Sequence, residues 1–331
     1  MTLTELKYLV AIADHGHFGR AASAAGVSQP TLSAQLRKLE DYLGVELVER
    51  SRKGVRLTAA GERVVGHARR ALAEQQAILR LTRHRAKPLE GPYRLGAIPT
   101  LSPYLLPALL PVLKAAHGGL DLVVIEDLTD HLLALLDDGR LDAALVALPV
   151  EMRGRQAMAL FDEGFLAVVP QAADMAAGAD SPIDAAELAA TRLLVLADGH
   201  CLRDQVLAAC ARTAASGDDF RAASLETLRE LVAAGFGTTL VPALAAAAWR
   251  RSGETRLRFR PVIGPAGHRR IALVWRRGAG DADALALARV CRQAIPDVVQ
   301  VVVDDAPLAN PSGAPDSGGA TRFGAKLAID N

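Results

Sequence analysis

Residues 17–50 read HFGRAASAAGVSQPTLSAQLRKLEDYLGVELVER, and the spacing of small, apolar and polar positions in this stretch sets the architecture of the N-terminal part of the chain. Phe18 to Ala25 forms a short helix stopped by Gly26. Ser28-Gln29-Pro30 then opens another: Ser28 or Gln29 can cap it, and Pro30 suits a first turn, where no N–H is needed. Leu32, Leu36, Leu39 and Leu43 recur on one side of this second helix and point to a core. The other side shows Pro30, Thr31, Ser33, Ala34, Arg37 and Lys38, with Gln29 at its start. Free of bulky apolar groups and supplied with hydroxyl, amide and guanidinium donors, that face can enter the major groove of a duplex.

Working outward, Leu6, Leu9, Val10 and Ala13 follow the i, i+3, i+4, i+7 pattern of a helix with one buried face, ended by His15-Gly16-His17. Downstream, Leu47 to Arg50 and Val55 to Thr58 read as two short strands around Ser51-Arg52-Lys53-Gly54. Such a wing would bring Arg50, Arg52 and Lys53 to a phosphate backbone. From Thr58, an N-cap, a helix runs to about Arg85. In it Val64, Ala68, Ala71, Gln75 and Ile78 alternate at 4-3-4-3, with Val65, Leu72 and Leu79 alongside, the seam of a coiled coil with a partner chain.

Charge divides the same way. Residues 1–87 hold 15 Lys and Arg against 8 Asp and Glu, whereas residues 88–331 hold 23 against 29, so a net of +1 conceals a basic head on an acidic body. A basic head implies a polyanion partner. No apolar run approaches the roughly 18 residues of a membrane helix, and MTLTELKYLV lacks the pattern of a secretory signal. These features predict a cytoplasmic protein with no membrane partner. Three cysteines in that compartment are either inert core thiols or redox or catalytic groups.

Past Lys87-Pro88-Leu89-Glu90-Gly91-Pro92, strands predicted at 93–98, 121–126, 142–147, 165–169, 192–196, 237–241 and 270–275 alternate with helices at 103–116, 129–138, 202–214, 224–234 and 282–294. Alternation of this kind implies parallel sheets covered by helices, with ligands outside the carboxyl ends of strands. Thr100 and Thr129 occupy such positions. The segment from about Asp304 onward, rich in Gly, Pro, Ala and Asp without periodicity, is expected to be disordered. No Cys/His spacing of a metal site is present, and AAGFGTT, with Gly235 and Gly237 but no phosphate-loop lysine, reads as a helix C-cap leading into a strand; neither metal nor cofactor is expected.

The stretch from His17 to Arg50 resembles the winged helix-turn-helix of LysR-type transcriptional regulators, and the layout is similar over residues 1 to about 300. IPTLSPYLLP, LADGHCLRDQVLAAC, SLETLRELVAAGFGTTLVPALA and RRIALVWR resemble the peroxide-sensing branch of that family. The resemblance implies an α/β chain: a winged helix-turn-helix over residues 1–58, a linker helix for dimerisation over 59–87, and a two-lobed regulatory domain over 88–303 that resembles periplasmic binding proteins in fold. Its second lobe would span about 165–267, and nothing corresponds to 304–331. The implied partners are promoter DNA, RNA polymerase, hydrogen peroxide and further copies of the chain in a homotetramer.

Within that resemblance Cys201 and Cys210 are the redox pair. If residues 202–214 are helical, as Leu202, Val206, Leu207 and Ala211 suggest, nine residues span about 13 Å and two and a half turns, whereas a disulfide needs Cα atoms within about 7 Å. Oxidation would therefore have to dismantle the helix. Its loss, several kcal/mol, is comparable with the ~2–4 kcal/mol a disulfide supplies, which suits a switch. Cys201, at the helix start beside His200 and near Arg203, is the expected site of first attack, helped by the helix dipole. The resemblance nominates Thr100, Thr129 and His200 as donors around the peroxide, and Arg269, or Arg270 one residue on, as the cation facing the thiolate. Cys291, among Leu285, Leu287, Ala288 and Ile295, reads as a core thiol. Two other functions remain open on sequence: a sensor of a small organic acid held near Thr100, Thr129 and Ser224, and an enzyme built on Cys201 with His200.

Overall fold

A computed structural model describes residues 1–51, 54–82, 88–172, 181–184, 187–188, 190–209, 221–262, 267–278 and 280–302. The head packs α1 (Leu3–His15), α2 (Phe18–Ala25) and α3 (Gln29–Leu43) around a core of Leu6, Leu9, Ile12, Leu32, Leu36 and Leu39. Each helix is started by a side chain that satisfies its orphan N–H groups: Thr2 with Glu5 in a reciprocal box, His17 through Nδ1, and Ser28, which settles the cap of α3, by accepting from Thr31 N. Strands β1 (Val48–Ser51) and β2 (Gly54–Leu57) form the antiparallel wing, which leans on the α1–α2 turn where Val55 N donates to Gly16 O.

Thr58 caps α4 (Ala59–Thr82) through Gly61 N at 2.9 Å. The seam expected on this helix divides. Val65 and Ala68 are buried in the head's own core, with Val64, Ala71 and Leu72 half-buried beside them, because α1 lies along the first half of α4. Among the described residues of the second half, Ile78 and Leu79 are exposed, as the predicted partner-facing seam requires. Residues 83–85 and the hinge at Lys87 lie outside the described residues, as does the segment from 303 onward.

The body is built on β3 (Gly91–Ala97), α5 (Ser102–Ala116), β4 (Leu120–Glu126), α6 (Thr129–Asp137), β5 (Ala143–Leu148), β6 (Arg155–Pro170), β7 (Val195–Leu196), α7 (Cys201–Ala209), β8 (Arg221–Ala222), α8 (Leu225–Ala233), β9 (Thr239–Pro242), α9 (Ala243–Arg251), β10 (Leu257–Pro261), β11 (His268–Arg276), α10 (Asp281–Ala294) and β12 (Gln300–Val301). The sheet is mixed rather than parallel throughout. β4, β3 and β5 pair in parallel, but β11 runs antiparallel to β5 and β6, and β9 and β10 run antiparallel to β6. The reason is β6: its 16 residues form one half against β11 and the other half against β9 and β10, so one strand spans both lobes and its neighbours return along it. A single apolar core runs from Leu89 to Ala294 through both lobes.

Candidate functional site

Cys201 is the first residue of α7, half-buried against the main core, while Leu202, Val206 and Leu207 on the same helix are buried. It lines a cleft of about 480 Å³ together with Thr129, Asp130, Leu133, Ala134, Asp137 and others of the first lobe. The lobes touch closely here. Gly199 takes a φ of +92°, which calls for glycine, and a Cβ on it would lie 2.9 Å from Leu128 Cδ1, so the two lobes come close here. Thr129 Oγ1 is buried with no hydrogen-bond partner, as is Gln205 Oε1 one turn after Cys201 on the same helix face. Among the described residues most buried polar atoms are paired, so an unpaired hydroxyl and an unpaired amide oxygen near Cys201 call for an explanation. The sequence reading missed Gln205; its i+4 spacing from Cys201 was the available signal.

His200 precedes the helix, and its burial lowers its pKa below the ordinary 6.5, which favours the uncharged imidazole. Arg203 is nearly buried, with Nη1 3.4 Å from Asp198 and Nε without a partner. Arg269 is committed elsewhere. Its side chain is fully buried, Nε donates to Glu163 Oε2 at 2.8 Å, Nη1 to Thr100 Oγ1 at 2.8 Å and Nη2 to Thr100 O at 3.0 Å. The second oxygen of Glu163 accepts from Leu244 N at 2.8 Å. Thr100 and Arg269 are thus joined to each other at the centre of β6, where the lobes meet, while Thr129 and Cys201 share the cleft. Arg270 points away and pairs with Asp162. Ser224 accepts from Thr227 N as the cap of α8. Cys291 is fully buried, and burial pushes its thiol up to about 12.

Cys210 lies outside the described residues, but the helix before it sets a bound. In regular helical geometry the Cα atoms of Cys201 and Ala209 are roughly 12 Å apart, and the next Cα is ~3.8 Å further along the chain. While α7 is intact, the two cysteine Cα atoms therefore cannot come closer than about 8 Å, beyond the ~7 Å limit of a disulfide.

On the head, Gln29, Pro30, Thr31, Arg37 and Lys38 are exposed and Ser33 is half-buried. Thr31 Oγ1 shares a hydrogen bond with Ser28 Oγ at 2.8 Å, and Lys38 Nζ lies 3.4 Å from Glu5 while remaining largely exposed. Arg50 pairs with Val55 in the wing through its backbone; Arg52 and Lys53 lie outside the described residues. Among the described residues there is no cluster of His, Cys, Asp and Glu suited to a metal, and no helix long and apolar enough to cross a membrane.

Residues 3–62 match the bacterial regulatory helix-turn-helix proteins of the lysR family, and residues 86–296 match the LysR substrate binding domain. The chain belongs to the LysR family. Within the LysR regulators it groups with OxyR: it is 44% identical over 281 residues to the DNA-binding transcriptional dual regulator OxyR of Escherichia coli K12, across 84% of this chain and 90% of that protein. Full-length OxyR of Pseudomonas aeruginosa, in a cysteine-to-aspartate variant, superposes with a TM-score of 0.74 at 38% identity, covering 88% of this chain and 98% of that one. A hydrogen-peroxide-bound cysteine variant of Corynebacterium glutamicum OxyR gives 0.59 at 36% identity, covering 88% and 92%.

Proposed function

We propose that this LysR regulator senses hydrogen peroxide at Cys201 and answers by changing its grip on promoter DNA. The observation that carries the reading is the cleft that Cys201 and Thr129 both line, with the Thr129 hydroxyl buried and, among the described residues, unpaired. Cys201 thiolate attacks one peroxide oxygen, the O–O bond breaks, and hydroxide leaves with a proton drawn from the pocket, giving a sulfenic acid. Thr129 donates to the departing oxygen. Gln205 Oε1 accepts a hydrogen bond from the peroxide, and neutral His200 is the group that can take up and return a proton. Cys210 thiolate then attacks the sulfenic sulfur, the S–O bond breaks, and the oxygen leaves as hydroxide that takes a proton to become water, closing a disulfide that α7 cannot hold. Arg269 acts through Thr100, holding it at the lobe junction instead of facing the thiolate directly.

The walls argue against an organic acid as the signal. Asp130, Asp137, Glu151 and Asp204 line the cleft against Arg155, which Asp137 already binds at 2.9 Å, and an anion would be repelled. Peroxide is neutral. Thr100 and Ser224 are already spent on Arg269 and on a helix cap. Adjacent residues at the start of a helix do not face one another, which makes Cys201 and His200 a poor nucleophile–base couple, and the reading is that of a regulator rather than an enzyme.

The head over residues 1–58 reads DNA through Gln29, Pro30, Thr31, Ser33, Arg37 and Lys38 in the groove, with Arg50, Arg52 and Lys53 on phosphates. Residues 59–87 link it to a sensing body over 88–303. Two dimers assemble into a homotetramer in the cytoplasm, bound to promoter DNA and in contact with RNA polymerase. The test is footprinting of the full chain on promoter DNA before and after stoichiometric peroxide. The footprint should change in the wild type and stay fixed in Cys201→Ser. An unchanged wild-type footprint, or a changed one in Cys201→Ser, would overturn the reading.

A further inference from the structure

Helix α6 reaches from the cleft to the head. Its first turn carries Thr129 and Asp130, and Leu128, its N-cap, meets Gly199 just before Cys201. Nine residues on, about 13 Å away, its C-cap Asp138 accepts from Arg69 Nη1 of α4 at 3.3 Å. Arg69 Nη2 also donates to Asp14 Oδ1 of α1 at 2.5 Å. The next residue, Gly139, sits against the same helix with a φ of +69°, and a Cβ there would lie 2.4 Å from Ala73 Cβ. A second tie joins Arg276 of β11 to Glu74 at 3.4 Å. Between its ends α6 is rigid, with Leu132, Leu133, Leu135 and Leu136 buried and Asp137 clamped by Arg155.

We propose that α6 is the rod that carries the redox state of the cleft to the DNA-binding head, with Arg69, bound at once to Asp138 and Asp14, as the coupling residue. The inference rests on the peroxide reading above. When the disulfide draws Cys201 out of α7, Leu128 and Thr129 lose the neighbours that pack against the start of α6. A packed helix answers such a loss by shifting as a body. At its far end a shift on the order of an ångström breaks the longer of the two Arg69 contacts and loosens α4 and α1 on the body, leaving the Arg276–Glu74 tie. Arg69 Nε, buried without a partner, leaves the guanidinium held by its two terminal nitrogens alone. A link of this kind is a claim about coupling, so it must be tested as one.

The test uses the full-length protein, fully reduced or fully oxidised, on promoter DNA. Asp138→Asn removes the latch from the body side and Arg69→Gln from the linker side. Two quantities are read: the rate at which Cys201 is lost to peroxide, and the ratio of DNA affinities of the two redox forms. Both variants should oxidise within about twofold of the wild-type rate, while the ratio shrinks by about 2- to 5-fold, the span of a 0.5–1 kcal/mol coupling. A wild-type ratio in both variants overturns the rod. A smaller ratio with equally slowed oxidation assigns the effect to the cleft and overturns it as well. If the wild-type protein itself shows no difference between redox forms, the peroxide reading fails, and the rod with it.

Discussion

Two arginines each join separate parts of this molecule, and they do so in opposite ways. Arg269 is wholly buried at the junction of the lobes, with Glu163, also wholly buried, and Thr100 taking three of its donors at 2.8–3.0 Å. Arg69 joins head and body from a partly open site, with one partner at 2.5 Å, another at 3.3 Å, and a third donor idle. A buried pair whose remaining lone pairs are satisfied cannot be loosened without exposing a charge to a low-dielectric interior. A pair whose carboxylates are partly exposed can be exchanged for water at less cost. The first suits a pivot and the second a latch.

The contrast breaks most visibly at the pivot. Glu163→Ala strands the Arg269 guanidinium and should cost about 3–5 kcal/mol in chemical denaturation, whereas replacing Glu163 and Arg269 together by methionine should recover much of that loss. At the sensing cleft, Thr129→Val should slow peroxide oxidation of Cys201 by about ten- to a hundredfold, the worth of one hydrogen bond to developing charge. Thr129→Ser should retain the rate, because it keeps the hydroxyl. Arg69→Gln should cost no more than about 1 kcal/mol, in sharp contrast with Glu163→Ala; an equal loss would erase the distinction between pivot and latch. The smallest effect lies in pH. Burial lowers the His200 pKa below 6.5, so the unfolded chain binds more protons there, and stability falls as pH drops below about 6.5 while remaining unaffected above it. His200→Asn should flatten that slope in thermal melts.

Local order in the head was legible because its signals are local: Ser28, Thr58 and the leucine spacing of α3 act within a few residues. The seam on α4 was legible as a pattern but not as an address, since Val65 and Ala68 look alike whether they meet α1 or another chain. In the body, the first half of β6 and all of α9 and β10 were missed. Residues 157–161 are buried on both faces and show no alternation, and ALAAAAWRR has too many alanines to show a period. In β10 the alternation is hidden by Arg260, buried against Glu187 and Ser181. Glu163 carries no motif at all; its partner Arg269 is 106 residues away in sequence, and only the antiparallel return of β11 brings them together. Cys201 and Thr129 were legible through resemblance and position, but the unpaired state of the Thr129 hydroxyl exists only in three dimensions.

The central claim is that α7 holds Cys201 out of reach of Cys210 and must come apart for them to bond. Hydrogen exchange across residues 201–209, combined with mass-spectrometric mapping of the thiols after stoichiometric peroxide, tests it most directly. The account predicts a Cys201–Cys210 disulfide together with loss of amide protection along that helix. A disulfide between the same residues with protection unchanged would contradict it.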